Sequence, residues 1–259
     1  MQASTDLNQK LLLVVLFTVI LFSGLINYRS YQLTKQYERF FGANLLDPFN
    51  LTMYPADTAA AQQIPTPSPG NLVVFFGDSR ALEWPAPTYE DARWQFINRG
   101  INAQTSIQVA GRFEHHIAPL NADIVIIQVG INDLRLIPMF PNQRERIIAN
   151  TKTSIEQVVA RANQSGSKVI LSTILPVGKP NFEQKLLGEN VKIITAVRDV
   201  NNHIRSLASQ DVVILDADPL IASPNGIARL EYRNDFLHIN QRAYDRLNKA
   251  LMDILMKLE

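Results

Sequence analysis

Five short apolar runs between residues 72 and 215 limit the folds open to this chain. Val, Ile, Leu and Phe dominate the runs, and most lack the strict alternation of apolar and polar residues that marks a half-exposed strand. Continuous runs of this kind are typical of parallel strands that are buried on both faces of a sheet. The runs cover residues 72–76, 95–98, 123–129, 168–172 and 212–215.

Amphipathic helical patterns lie between and after the later runs. Residues 142–165, 189–209 and 240–258 each carry apolar side chains at the spacing that one face of a helix requires. At the start of the first pattern, Asn142 with Glu145 three positions later predicts a capping box. Strands that alternate with helices predict an α/β fold, a three-layer sandwich with a five-stranded parallel sheet.

Small and polar residues follow the apolar runs. In α/β proteins with parallel sheets, ligands bind beyond the carboxyl ends of the strands. Residues that follow different strands are therefore expected to meet at one edge of the sheet. The segments concerned are Gly-Asp-Ser at 77–79, Asn-Arg-Gly at 98–100, Gly-Ile-Asn-Asp at 130–133 and Asp-Phe-Leu-His at 235–238.

These segments contain the parts of a serine-nucleophile site. A serine hydroxyl needs a base to take its proton, and His238 can be that base for Ser79. Asp235, three residues before the histidine, can orient the imidazole and stabilise its charged form. An acyl-transfer intermediate also needs hydrogen-bond donors for its oxyanion. Candidate donors are the backbone N–H groups of Ser79 and Gly100 and the side-chain amide of Asn132.

The four segments resemble the four sequence blocks of the SGNH hydrolase family, also called the GDSL esterase/lipase family. The blocks are FFGDSRAL, INRGINAQTS, VGINDL and DFLHIN, in this order within residues 71–259. The resemblance implies a flavodoxin-like fold with Ser79 as nucleophile. It also implies that Asp235 and His238 complete the triad and that Gly100 and Asn132 donate to the oxyanion.

Charged residues near the blocks allow more than one interpretation. Arg80 departs from the family pattern, which usually carries an apolar residue after the serine. Arg80, Arg112 and Arg135 are either ordinary surface charges or line the mouth of the site, where they would favour an anionic substrate. Asp78 and Asp133 are expected to be structural and to brace the turns in which they lie.

Three functions are compatible with these residues. The leading interpretation is a serine esterase or lipase-type hydrolase that cleaves a carboxylic ester through an acyl-enzyme. Its substrate would be a small-molecule, lipid or acylated-sugar ester. An O-acyltransferase that modifies cell-surface polysaccharide would use the same triad with a sugar hydroxyl as acceptor. A non-catalytic subunit of a membrane complex is the third interpretation.

Composition excludes several other classes. The chain has no cysteine, so disulfides, zinc–thiolate sites and a cysteine nucleophile are excluded. The 25 basic and 24 acidic side chains give a net charge of +1, which argues against nucleic-acid binding. No metal-ligand spacing or phosphate-binding glycine loop is present, so neither a metal nor a cofactor is predicted. His115, His116 and His203 fall in helical patterns and are predicted to be surface residues.

The N-terminus predicts a membrane anchor. Residues 11–28 carry no charge, and as a helix they span about 27 Å, close to the roughly 30 Å of a bilayer core. A cleaved signal peptide is the alternative, but no small-residue cleavage site follows. We predict an anchor helix and stalk at 1–41, a Pro-rich linker at 42–70 and the catalytic domain at 71–259.

Two features of the sequence give opposite indications of the membrane side. Lys10 is the only basic residue before the apolar span, whereas Arg29, Lys35 and Arg39 follow it closely. The positive-inside rule would place the catalytic domain in the cytoplasm. The family resemblance implies an exported domain, and we predict a single-pass protein with a periplasmic or extracellular catalytic domain. No protein partner can be named from the sequence.

Overall fold

The structure is a computed structural model. In it the chain divides into two compact units, Met1–Asn50 and Leu51–Glu259. The described residues are 2–54, 71–88, 93–180, 182 and 189–258. Residues 55–70, the greater part of the predicted Pro-rich linker, lie outside them.

The first unit is built on one long helix. Helix α1, Gln2–Leu46, is 45 residues long and continues past residue 41, the boundary predicted for the anchor and stalk. An 18-residue stretch within its Lys10–Leu46 part has a mean hydropathy of 2.4, and this part is long and apolar enough to cross a membrane. The large apolar side chains of this part are exposed. Helix α1 is therefore a candidate membrane anchor or signal sequence, and the side that the catalytic unit faces stays a prediction.

The second unit contains the α/β sandwich that the sequence predicts. Its strands are β1 Asn71–Gly77, β2 Trp94–Gly100, β3 Ile124–Gln128, β4 Lys168–Ser172 and β5 Val212–Leu215. Its described α-helices are α2 Ser79–Leu82, α3 Ser106–Gly111, α4 Phe113–His116, α5 Ile131–Leu134, α6 Arg144–Gln164, α7 Glu189–Ser206, α8 Ala217–Ile221 and α9 Gln241–Leu255. Short 3₁₀ turns lie at Leu51–Met53, Ala118–Leu120, Pro141–Gln143 and Leu230–Tyr232.

The five strands form one parallel sheet in the order β2-β1-β3-β4-β5. At the carboxyl end of β1, Gly77 pairs with Gly100 of β2 on one side and with Gln128 of β3 on the other. The segments that leave these three strands therefore start side by side. This register places the first three sequence blocks at one edge of the sheet.

Both faces of the sheet are covered by helices. Leu72, Val74 and Phe76 of β1 belong to one hydrophobic core with residues of α3, α6 and α7. Val73 and Phe75 belong to a second core with residues of α8 and α9. Because every second residue enters a different core, the strands need apolar side chains on both faces, and their sequences read as continuous apolar runs.

The predicted capping box at the start of α6 is wrong. The helix begins at Arg144, after the 3₁₀ turn Pro141–Gln143, and its N-cap residue Gln143 makes no side-chain cap hydrogen bond. Proline is well suited to the first turn of a helix because its φ angle is preset and it has no N–H to satisfy. Pro141 starts the turn before Asn142, and Glu145 instead pairs with Arg144.

Strands β1 and β3 approach each other closely at Gly77. A Cβ atom on Gly77 would lie 1.8 Å from the Gln128 carbonyl oxygen, and the backbone φ angle there is 157°. The N–H of Asp78 also donates to this oxygen at 3.2 Å. Glycine is thus required where the chain leaves the sheet, directly before Asp78 and Ser79.

Replacing Gly77 by alanine should destabilise the protein strongly. We expect Gly77→Ala to lower the free energy of unfolding by at least about 3 kcal/mol, because steric overlap and an unfavourable φ angle add. Gly166→Ala is the matched control, since Gly166 has a φ of 85° but open space around its Cβ position, and about 1 kcal/mol is expected there. Urea unfolding of the full chain in detergent, followed by fluorescence of the buried Trp84 and Trp94, measures both. Equal losses in the two variants would contradict this account.

Candidate active site

Ser79 begins helix α2 immediately after the exit from β1. The Asp78 side chain caps this helix, and its Oδ1 accepts from the Arg80 N–H at 2.9 Å. Ser79 itself is 8% exposed. Ser79 is therefore largely shielded from solvent.

His238 joins Ser79 and Asp235 in a continuous hydrogen-bond chain. Its Nε2 lies 3.1 Å from Ser79 Oγ, and its Nδ1 lies 2.8 Å from Asp235 Oδ2. A carboxylate only accepts, so the consistent assignment has Nδ1–H donating to Asp235 and Nε2 accepting from the Ser79 hydroxyl. The three residues predicted as a triad are brought together in this geometry.

The Asp235 carboxylate is held by the backbone of its own loop. Its Oδ1 accepts from the N–H groups of Leu237 at 2.6 Å and His238 at 2.7 Å. Burial acts to raise the pKa of Asp235, but the hydrogen bonds from His238 and Leu237 outweigh it and the pKa lies below its ordinary value. Asp235 is therefore kept as an anion that faces the imidazole.

Asn132 in α5 is fixed beside the loop that follows β2. It is 6% exposed, and its side-chain N–H donates to the Gln104 carbonyl at 3.0 Å. An amide nitrogen carries two N–H groups, and the second one of Asn132 has no acceptor among the described residues.

The structure does not give Gly100 the role predicted for it. Its N–H already donates to Asn98 Oδ1 at 2.8 Å. A Cβ atom on Gly100 would lie 2.2 Å from the Leu82 nitrogen, so packing against α2 explains the glycine. The N–H that was predicted to bind an oxyanion is thus engaged within the protein.

Ala103, three residues further along the same loop, has a distinctive backbone conformation. Its φ angle is 60°, a left-handed conformation that is uncommon for residues with a Cβ atom. Its N–H has no hydrogen-bond acceptor among the described residues. Ala103 precedes Gln104, whose carbonyl holds Asn132. Unusual backbone conformations of this kind concentrate at functional sites.

A cavity of about 430 Å³ opens beside the triad. Its described lining consists of Arg135, Pro138, Met139, Ile193, Asp235, Phe236, Leu237 and His238. Most of this wall is apolar, which suits the hydrocarbon part of an ester.

Sequence reasoning missed Glu83 at the edge of this site. Its Oε1 lies 3.7 Å from His238 Nε2, and its side chain is 41% exposed. The signal was available, because position 83 follows Ser79 by four residues and a helical turn brings such positions together.

No group of three or more His, Asp or Glu side chains that could hold a metal ion occurs in the part of the chain that the structure describes.

One family model matches most of the second unit. Residues 66–246 match the model of the GDSL-like Lipase/Acylhydrolase family. The chain belongs to the GDSL-like lipase/acylhydrolase family. It is accordingly an ester-cleaving hydrolase of the esterase/lipase type. A search of curated protein sequences gave no match.

Solved structures of similar fold include named hydrolases. A GDSL-like lipase from Bacteroides thetaiotaomicron is 20% identical, with a TM-score of 0.59, covering 82% of this chain and 99% of the lipase. An acetyl xylan esterase is 19% identical, with a TM-score of 0.52 and coverage of 71% and 99%. A lipase from a goat rumen metagenome is 14% identical, with a TM-score of 0.54 and coverage of 71% and 97%. At these identities the similarity shows the shared fold.

Two buried carboxyl groups brace the loops of this GDSL-like hydrolase. Burial raises the pKa of Asp133 to about 6, although hydrogen bonds from the Ser106 N–H and hydroxyl, both at 2.8 Å, act in the opposite direction. Burial likewise raises the pKa of Asp78 to about 6, and the Arg80 charge opposes part of that rise. Asp133 connects α5 to α3, and Asp78 caps α2, so both occupy structural positions.

Two of the three arginines that the sequence placed either on the surface or at the mouth of the site are buried instead. Arg80 and Arg112 are both 0% exposed, and of the three candidates Arg135 alone lines the cavity. Arg112 donates from Nη2 to the Gly77 carbonyl at 2.8 Å and from Nε to Gln104 Oε1 at 2.6 Å. Carbonyls at strand ends and in loops need donors, and a long guanidinium side chain can reach them from inside.

His116 is also buried, at 2% exposure, whereas the sequence predicted a surface position. Its Nδ1 lies 3.2 Å from Arg112 Nη1, and its Nε2 lies 3.2 Å from the Leu51 carbonyl. Since arginine only donates, Nδ1 accepts, Nε2–H donates and the ring is neutral. Burial lowers the pKa of His116 to about 4; the Leu51 bond opposes this effect and the Arg112 charge adds to it.

The segment Leu51–Tyr54 is fastened to the same region. The Tyr54 hydroxyl donates to the Gly100 carbonyl at 3.0 Å, and its ring meets His116 edge-on at 5.2 Å between centroids. The start of the second unit thus contacts residues that neighbour the candidate site.

We expect His116 to make stability sensitive to acid. Its pKa in the folded protein, about 4, lies below the ordinary value of 6.5, so its contribution is complete above that value and is lost as the pH falls toward 4. In His116→Gln, urea unfolding between about pH 7 and pH 4 should show a smaller loss of stability on acidification than in the wild type. His115→Gln, at an exposed neighbouring position, is the control. The same pH dependence in wild type and His116→Gln would refute this interpretation.

Proposed function

We propose that this hydrolase cleaves a carboxylic ester through an acyl-enzyme formed on Ser79. The observation that carries the proposal is the hydrogen-bond chain from Ser79 Oγ to His238 Nε2, at 3.1 Å, and from His238 Nδ1 to Asp235 Oδ2, at 2.8 Å. A serine becomes a useful nucleophile only when a base within hydrogen-bond reach can take its proton.

In the first step, Ser79 Oγ attacks the ester carbonyl and its proton moves to His238 Nε2. Asp235 holds the Nδ1–H and stabilises the imidazolium that forms. The carboxylate of Glu83, 3.7 Å from Nε2, adds a second negative charge near that cation. His238 then gives the proton to the alcohol oxygen, and the alcohol leaves.

The tetrahedral intermediate needs donors for its oxyanion. We propose the N–H of Ser79, the free side-chain N–H of Asn132 and the N–H of Ala103, in place of the sequence-predicted Gly100. The Ser79 and Ala103 N–H groups have no acceptor among the described residues, and Asn132 is held next to Ala103 by its bond to Gln104. Donors that are fixed before reaction stabilise developing charge without reorganisation.

In the second step, a water takes the position of the departed alcohol and His238 removes its proton. The water attacks the acyl carbonyl, and Ser79 leaves with the proton from His238. The apolar wall of the 430 Å³ cavity supports a small-molecule ester substrate. The proposed products are a free carboxylic acid and an alcohol.

Replacing Ser79 by alanine should abolish hydrolysis of p-nitrophenyl acetate. We expect kcat to fall by at least about 10³-fold, because the remaining site lacks a nucleophile. A fluorophosphonate probe should label the wild type and leave Ser79→Ala unlabelled. Ser206→Ala, at an exposed position on α7, is the control and should react like the wild type. Full activity of a folded Ser79→Ala protein would rule out the proposed nucleophile.

The fate of the acyl group is tested in a separate experiment. Mass spectrometry of an incubation with an acetyl donor and a sugar acceptor should find free acetate. Acetylated sugar as the main product would instead identify the protein as an acyltransferase with the same triad.

Replacing Asn132 by alanine should reduce kcat for p-nitrophenyl acetate by roughly 10²–10³-fold. KM should change little, because the donor binds the oxyanion of the intermediate more strongly than the substrate carbonyl. Steady-state kinetics of the two proteins measures both constants. A rise in KM with unchanged kcat would mean that Asn132 binds substrate instead.

A further inference from the structure

Arg80 follows Ser79 directly, and its guanidinium is fully buried, at 0% exposure. Removing a cation from water is costly unless hydrogen bonds and opposite charges compensate. Burial lowers the pKa of Arg80, while the neighbouring Asp78 charge acts in the opposite direction. A charged residue at this position therefore has to make contacts that an apolar residue cannot.

The guanidinium of Arg80 donates to backbone carbonyls from two distant loops. Its Nε donates to the Leu237 oxygen at 2.8 Å, its Nη1 to the Leu175 oxygen at 2.5 Å and its Nη2 to the Pro176 oxygen at 3.5 Å. Asp78 is hydrogen-bonded by the backbone N–H of Arg80 rather than by the guanidinium. The planar guanidinium thus joins two loops, one that follows β4 and one that precedes α9.

One of these carbonyls belongs to the peptide unit that carries His238. The Leu237 oxygen accepts from Arg80 Nε, and the N–H of the same peptide unit, that of His238, donates to Asp235 Oδ1 at 2.7 Å. Both polar ends of this unit are therefore fixed. Because the unit ends at the His238 Cα atom, fixing it limits the positions that the imidazole can reach.

The two loops also contact each other, which makes the clamp rigid. The Gly178 N–H donates to the Phe236 carbonyl at 2.7 Å, and a Cβ atom on Gly178 would lie 2.1 Å from the Asp235 carbonyl oxygen. On the other side, the Tyr244 hydroxyl donates to the Arg80 carbonyl at 3.0 Å. Tyr244 of α9 thus holds the backbone of Arg80, and the guanidinium of Arg80 in turn holds both loops.

We infer that Arg80 is a positioning residue that keeps His238 Nε2 within hydrogen-bond reach of Ser79 Oγ. The inference rests on the proposed function. Arg80 is the residue directly after the nucleophile Ser79. Its Nε donates a hydrogen bond to the peptide unit that carries the base, His238. A leucine or methionine at position 80 would leave the Leu237 carbonyl without its donor and the histidine loop free to shift.

The test compares Arg80→Met and Arg80→Lys with the wild type in full-length protein. In Arg80→Met, kcat for p-nitrophenyl acetate should fall on the order of 10²-fold, because small displacements of a catalytic group have effects of this size. KM should change less than kcat, because Arg135, Pro138, Met139 and Ile193 of the cavity lining lie outside the loop that shifts. Arg80→Lys should retain more activity than Arg80→Met, because an ammonium group can still donate to part of the carbonyl set.

A double-mutant cycle separates positioning from general structural damage. If Arg80 acts through the histidine, adding Arg80→Met to His238→Ala should change the residual kcat by less than about 2-fold. A purely structural effect would lower kcat by the same factor in both backgrounds. The inference would be overturned if Arg80→Met lowered kcat by the same factor in the wild-type and His238→Ala proteins. It would also be overturned if a folded Arg80→Met protein kept the wild-type kcat.

Controls keep the outcomes distinct. Arg161→Met removes another guanidinium-to-carbonyl bond, from Arg161 Nη1 to the Ala110 oxygen at 2.5 Å, away from the histidine loop, and should leave kcat unchanged. If Arg80→Met does not fold by circular dichroism, the cycle is run with Arg80→Lys and the same criterion. Failure of the proposed function would appear separately, as full activity of Ser79→Ala.

Discussion

Helices cover both faces of the sheet in this hydrolase, and that burial confines its polar chemistry to the strand ends. Within the sheet, side chains alternate between two apolar cores, so an unpaired polar group there would be costly. At the carboxyl edge the backbone leaves the sheet and side chains can meet across loops. The parallel register of β1, β2 and β3 aligns their exits, and Ser79 and Asn132 follow from two of them.

Much of this arrangement could be predicted from the sequence because its causes are local or periodic. The five apolar runs gave five strands, with bounds that agree for β4 and β5 and differ slightly for the others. The candidate triad residues could be named because a nucleophile, a base and an acid each need a particular side chain. The order of the blocks in the chain then placed them at one edge.

Other features depended on backbone conformation, which residue types do not reveal. Gly100 looked like an open N–H donor, but the Asn98 side chain folds back on it. Ala103 gave no signal because its left-handed conformation is imposed by the loop. Arg80 and Arg112 were expected at the surface on charge alone, whereas carbonyls released at the sheet edge draw both guanidinium groups inward. Long-range hydrogen bonds of this kind have no periodic pattern in the sequence.

The contacts of Leu51–Tyr54 bear on how the catalytic unit is best prepared without the apolar helix. A truncation chosen from sequence would start at β1, Asn71, because that is where the regular fold begins. Such a truncation would remove Tyr54 from the Gly100 carbonyl and Leu51 from His116, and so uncover polar groups beside the loop that holds Asn132. A soluble form of the protein should therefore keep the chain from Leu51 onward, so that these contacts are retained.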